Sequence, residues 1–274
     1  GGNTTCIEVR SDDGSLIILD GGTGIFALAQ KLLAELPVRA HVFITHSHWD
    51  HIQGLPFFIP LFIPGNTVRL YGARDPVTGL GAEQVMAVQL QYSYFPVREA
   101  EMKARIEYET LSIGDTVEVG DARITNTLLS HPVVDLGYRI DCNGKSLFFT
   151  GDHEPYFNIY EADDPDWAEY QALIDDKQRT VDEAMRDVDV LIVDSSYTRE
   201  EYAAGKRGWG HGTFDSAIDM ALRVGAKRLY CTHHEPTRSD DALEAVFAEV
   251  LARRAAELGD LQVCLSYEGL EVEL

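Results

Sequence analysis

The sequence predicts an α/β protein with two sheets between outer helix layers, an αββα four-layer sandwich. Short apolar runs bounded by Gly, Asn and Asp turns recur along the chain, as strands require. Stretches with helical spacing are interleaved with them in both halves. The 274 residues carry no repeat, low-complexity segment or linker, so residues 1–274 are expected to form one domain.

Thr5–Val9 and Leu16–Leu19 read as strands joined by the turn Ser11-Asp12-Asp13-Gly14. After the loop Asp20-Gly21-Gly22-Thr23-Gly24, the spacing of Ile25, Leu28, Ala29, Leu32 and Leu33 predicts a helix. His41–Ile44 and Val68–Tyr71 follow as strands. Residues 80–105 read as a helix and an irregular stretch, Tyr94-Phe95-Pro96. Strands are expected at Ile106–Tyr108, Thr116–Val119, Ala122–Leu129, Gly137–Asp141 and Ser146–Thr150. The second half alternates: a helix near 176–186, strand Val190–Val193, a helix after Thr213, and strand Arg228–Cys231. A helix capped by Ser239 and the strands Leu261–Leu265 and Leu270–Val272 complete it.

Composition narrows the function. Lys and Arg number 23 against 45 Asp and Glu, a net charge of −22. Such a surface repels polyanions unless basic groups cluster, and no cluster of five or more occurs. Long nucleic acids and anionic membranes are therefore poor partners, whereas a small anion drawn to bound cations is not. No apolar run reaches the roughly 20 residues of a membrane span. Cys6, Cys142, Cys231 and Cys264 form no C-x-x-C pair and read as small hydrophobes, which fits a cytoplasmic setting. The chain opens Gly-Gly-Asn without a methionine, so a short upstream piece is expected.

The histidines carry the chemistry. His46, His48 and His51 follow the run Val42–Thr45; His131 follows Ile124–Ser130; His233 follows Leu229–Thr232. Asp152 leaves Leu147–Gly151 in the same way. Residues leaving one edge of a sheet can converge, and catalytic groups commonly occupy such loops. Imidazole and carboxylate are ligands for zinc, manganese or iron. In His46-Ser47-His48-Trp49-Asp50-His51, alternation lets His46 and His48 face one position while Asp50 and His51 reach a second.

That run resembles the H-x-H-x-D-H signature of the metallo-β-lactamase superfamily. Asp20 in Ile-Leu-Asp-Gly-Gly-Thr-Gly, Ser130-His131-Pro132, Thr150-Gly151-Asp152 and Cys231-Thr232-His233-His234 resemble its other motifs, in order, from Gly1 to about Pro236. The resemblance implies that His46, His48 and His131 bind one divalent ion, Asp50, His51 and His233 a second, and Asp152 both. Zinc is the expected ion, with manganese or iron as alternatives. A hydroxide between the ions would be the nucleophile. Gly208-Trp209-Gly210-His211-Gly212-Thr213 resembles the extra histidine segment of the ribonuclease Z-like phosphodiesterase branch, with Gly212 in place of its serine. Gly1-Gly2-Asn3-Thr4-Thr5 resembles the start of cyclic-nucleotide phosphodiesterase-like members.

The expected function is thus a phosphodiesterase on a small substrate, such as a cyclic nucleotide, with His211 and Asp50 as its catalytic groups. His211 would serve as proton donor or oxyanion partner. The alternatives are tRNA 3′-end processing, thioester or lactam hydrolysis, and a non-hydrolytic diiron protein. The resemblance also favours a homodimer. Among other candidates, His41 reads as structural, His153 and His234 as weaker neighbours of the site, and Trp49 as packing. Tyr92, Tyr94 and Phe95 read as a lid or as core.

Overall fold

All 274 residues are described in a computed structural model, which holds two sheets and seven α-helices. The chain parts into two compact units. The first comprises Gly1–Asn126 and Val133–Gly144, the second Thr127–Pro132 and Lys145–Leu274. No helix is long and apolar enough to cross a membrane. All four cysteines are free thiols, with Cys231 fully buried.

In the first unit, β1 (Ile7–Arg10) and β2 (Leu16–Leu19) pair antiparallel as the turn sequence requires. β2 continues in parallel into β3 (Arg39–Phe43), β4 (Thr67–Ala73) and β5 (Arg105–Leu111), giving the order β1-β2-β3-β4-β5. Every residue of β2 is buried, which is why it reads as an unbroken apolar run. Helix α1 (Ile25–Leu32) buries Ile25, Leu28, Ala29 and Leu32 in one core with Leu16, Ile18, Val42 and Leu70. Helices α2 (Trp49–Ile52) and α3 (Ala82–Gln89) follow β3 and β4. Strands β6 (Thr116–Val119), β7 (Ala122–Leu128) and β8 (Leu136–Cys142) lie in that order, β7 carrying the chain into the second unit.

The second unit contains β9 (Lys145–Phe149), β10 (Val190–Asp194), β11 (Arg228–Thr232) and β12 (Gln262–Leu265), all parallel, in the order β12-β11-β10-β9. Helices α4 (Trp167–Met185), α5 (Arg199–Ala203), α6 (Phe214–Val224) and α7 (Asp240–Arg254) complete it. Its core joins Phe148, Leu191, Val193 and Leu229 of the strands to Val181, Phe214, Ile218 and Val250 of the helices.

Register decides where the polar residues emerge. Leu19 pairs with Phe43 and Phe43 with Tyr71, so Asp20 and the loop after Phe43 leave one edge of the first unit's sheet, beside the last residues of β4. Phe149 pairs with Ile192 and Asp194 with Thr232, so Asp152, Asp194 and His233 leave one edge in the second. Ligand sites in α/β sheets gather beyond such C-terminal strand ends.

Two element expectations need correction, and one helix is additional. Helix α4 begins at Trp167 rather than near 176, because only Ile174, Val181 and Met185 are buried and the apolar stripe is visible only in its later turns. Leu270–Val272 forms no strand: Val272 is 40% exposed and the segment has no ladder partner. Helix α5 adds to the expected elements, and Thr198 and Glu201 form a capping box at its start.

Candidate functional site

In the first unit, the loop after β3 and helix α2 bring His46, His48, Asp50 and His51 together. The His46 ring centroid lies 4.6 Å from that of His48 and 4.2 Å from that of His51. Asp50 Oδ2 lies 3.4 Å from His51 Nε2. Fully buried Asp20 organises this turn. Its carboxylate accepts the Thr45 N–H (2.8 Å), the Thr45 hydroxyl (3.0 Å) and the His51 Nδ1 proton (2.7 Å). Asp20 does this from the left-handed region, at φ 61°, a conformation that a non-glycine residue holds only under surrounding constraint. Gly22 lets the Asp20 loop close on α2, since a Cβ there would meet the Asp50 carbonyl at 2.4 Å. His46 Nδ1 faces Thr45 Oγ1 at 3.1 Å and the buried Asp135 carboxylate at 3.3 Å.

In the second unit, Asp152 is the hub. Its Oδ1 lies 3.2 Å from His233 Nε2, while Oδ2 lies 3.8 Å from His131 Nε2 and 3.7 Å from His211 Nδ1. The two oxygens thus face different histidines. Ligand atoms of Asp152, Asp194, His211 and His233 all lie within 4.8 Å of one another. His211 Nδ1 donates to Asp194 Oδ2 at 2.9 Å, and its ring stacks on His233 with centroids 4.9 Å apart. Burial disfavours the charged His211, but the Asp194 and Asp152 carboxylates together outweigh it and raise its pKa. His233 holds φ 56°, and its Nδ1 faces Ser196 Oγ at 3.1 Å. The single Ser196 hydroxyl proton has two acceptors within reach, Asp194 Oδ1 at 2.7 Å and the His233 carbonyl at 2.6 Å.

Buried Glu154 holds the loop that carries His211. It accepts the Gly208 N–H on Oε1 (2.7 Å), the Gly210 N–H on Oε2 (2.8 Å) and the Tyr202 hydroxyl. The Gly210 carbonyl in turn accepts the His131 Nδ1 proton at 2.9 Å. Gly210 must be glycine: φ is 90°, and a Cβ would sit 2.4 Å from His131 Nδ1. Glu154→Ala strands three donors and loosens the partner of His131. We expect metal affinity or turnover to fall roughly 10–100-fold, the usual scale for such supporting partners. Metal titration and steady-state kinetics check this; wild-type values for both would remove Glu154 from the site.

The donor sets fit divalent metal ions. His46, His51, His131 and His233 each engage Nδ1 with a carboxylate, carbonyl or hydroxyl, which fixes the tautomer that offers Nε2. Nitrogen and carboxylate oxygen donors suit zinc and its neighbours.

The remaining candidates separate. His41 meets the Tyr71 hydroxyl at 2.9 Å, in keeping with a structural role. His234 turns away to the Ser266 carbonyl at 3.1 Å. His153 is fully buried, which lowers its pKa to about 4, and its Nδ1 accepts the Ser130 N–H. Trp49 does not pack: it is 61% exposed. Tyr92 and Tyr94 are exposed, while Phe95 packs on Phe57 with centroids 5.4 Å apart. Sequence reasoning missed Asp135, Glu154, Asp194 and Ser196. Asp194 ends the apolar run of β10 just as Asp152 follows that of β9, so the same signal marks it.

Residues 16–234 match the family model described as the beta-lactamase superfamily domain, and the chain belongs to this hydrolase superfamily. A ribonuclease Z of Kineococcus radiotolerans is 26% identical over 287 residues, covering 90% of this chain and 82% of that protein. The metallo-β-lactamase fold protein YhfI from Bacillus subtilis superposes with a TM-score of 0.65 at 19% identity, covering 98% of this chain and 92% of its own. Human tRNase Z, short form, superposes with a TM-score of 0.62 at 17% identity, covering 98% and 92%. These two likenesses bear out the predicted metallo-β-lactamase fold.

Proposed function

We propose that this protein is a metal-dependent phosphodiesterase acting on small substrates, cyclic nucleotides among them. In this reading the two units form one catalytic domain over residues 1–274, working in the cytoplasm. His46, His48 and His131 hold one divalent ion, Asp50, His51 and His233 a second, and Asp152 is shared. Zinc is the preferred occupant. Bound there, such ions supply Lewis acidity and lower the pKa of water toward about 7. Asp20 and Gly210 fix the orientations of His51 and His131. Asp194 holds His211 by its Nδ1, so Nε2 is the atom that hydrogen-bonds or protonates a departing oxygen. The observation that carries the reading is this Asp194–His211 pair, 3.7 Å from the Asp152 carboxylate.

The ribonuclease Z relatives favour a second reading, cleavage of RNA. The same phosphodiester chemistry serves both, and charge separates them. A protein gripping long RNA neutralises many phosphates, and its affinity then falls steeply with salt. A chain at −22 is poorly suited to that. The test is a hydrolysis panel on the metal-loaded protein: an aryl phosphodiester, a cyclic nucleotide, a β-lactam, a glutathione thioester and precursor tRNA, over a salt titration. Small phosphodiesters are expected to react with little salt dependence. Efficient tRNA cleavage overturns the small-substrate reading, and turnover of only the lactam or thioester overturns the phosphodiesterase reading itself.

A further inference from the structure

The first unit contains a cleft beside the histidine motif. Its empty space, mouth included, is about 570 Å³. Ile44, Leu70, Leu80, Val85 and Met86 supply apolar walls, and His46 and Ser47 close one side. Small residues make the room. Gly72 lies in β4 opposite α3, where a Cβ would stand 3.5 Å from that of Ala82 and 3.8 Å from that of Ile44. Any longer side chain at 72 would extend into the cleft.

No Lys or Arg lines it. Its one acid, Asp75, is spent on its own turn, accepting the Val77 and Thr78 N–H groups at 2.7 and 3.1 Å. The cleft is thus built for an uncharged apolar group and sets no cationic side chain against an anion. Concave, mostly apolar sites with a few polar groups at one end are the usual form of small-molecule pockets. Here the polar end is His46 and Ser47, within the metal motif.

We propose that this cleft seats an apolar substituent of the substrate, an aryl or branched alkyl group esterified to the phosphate. The assignment of that group to a phosphoester rests on the phosphodiesterase reading; the apolar recognition does not. Substrates are then selected by the fit of this group, and one methylene of fit in a hydrophobic pocket is worth roughly 10–200-fold in kcat/KM.

Two variants and two kinds of probe test this. Gly72→Val fills the cleft with a residue suited to a strand. Leu80→Asp places a charge at its edge on a residue that is already 36% exposed and so does not threaten the core. The neutral probe is 4-fluorobenzyl alcohol, followed by fluorine NMR on metal-free protein. The anionic pair is phenylphosphonate and methylphosphonate, followed by calorimetry on metal-loaded protein. Wild type is expected to bind the alcohol saturably and the phenyl compound at least roughly 10-fold more tightly than the methyl one. Both variants should lose the alcohol and the phenyl preference while still binding methylphosphonate. Absence of saturable alcohol binding, or binding unchanged in both variants, overturns the proposal. Alcohol binding lost in the variants, with neither phosphonate bound by wild type, supports the apolar cleft and removes the phosphodiester reading alone.

Discussion

Asp152→Ala is expected to abolish activity and metal binding together. Its two oxygens point to different histidines, Oδ1 to His233 at 3.2 Å and Oδ2 to His131 at 3.8 Å. A carboxylate placed between two imidazoles is suited to joining two cations. In the proposed arrangement its removal takes an anionic ligand from both positions, leaving three imidazoles at one and Asp50 with two imidazoles at the other, sets that hold a dication more weakly. The histidines keep their other partners, since His131 remains on Gly210 and His233 on Ser196. The fold should therefore survive, with far-ultraviolet circular dichroism unchanged. Elemental analysis after dialysis should find wild type with two divalent ions per chain and the variant with none, and hydrolysis of an aryl phosphodiester should drop to background. A variant that retains both ions would show that Asp152 does not bridge them.

His211→Ala is expected to separate chemistry from metal binding. Asp194 holds His211 Nδ1 at 2.9 Å, and the ring lies parallel to His233 at 15°. A histidine oriented in this way by a carboxylate is placed to donate rather than merely to fill space. Both ions should remain bound, KM should change little, and kcat should fall on the order of 10²-fold or more, the scale for losing a general acid or an oxyanion donor. A substrate with a far better leaving group should narrow the deficit, because protonation of that oxygen then matters less. Loss of metal in His211→Ala would instead make His211 a ligand. The geometry sets that alternative sharply, since ligand atoms of His211, Asp152, Asp194 and His233 lie within 4.8 Å of one another.

Much of this protein is legible in its sequence because local physics writes it there. β2 is buried on every residue and reads as Leu-Ile-Ile-Leu. Helix α6 buries Phe214, Ala217, Ile218 and Ala221 at helical spacing, and Thr213 and Ser216 cap its start. The motif His46-Ser47-His48-Trp49-Asp50-His51 needs only a strand end and one helical turn to gather four polar side chains, so contiguous residues suffice to reveal it. His131, Asp152 and His233 are visible because each follows an apolar run. Sequence alone thus determined the fold class, the donor types and the expectation of metal-dependent hydrolysis.

Tertiary structure decided what depends on residues distant along the chain. Asp194 meets His211 across 17 positions, and Glu154 meets Gly208 across 54. No local pattern encodes such pairs, since a buried acid and an exposed one look alike until the chain has folded around them. The same holds for the apolar cleft. Gly72 lies just past the expected strand Val68–Tyr71, and only the approach of α3 shows that its missing side chain leaves room beside His46. The ends of the helices were hard to read for a related reason. Polar helix α4 is anchored by three buried side chains, so most of its length carries no periodic signal of its own. Local sequence fixes which groups are present and which strand ends carry them. The packing of strands in register fixes which groups meet, because hydrogen bonds between remote segments exist only once the sheets have formed.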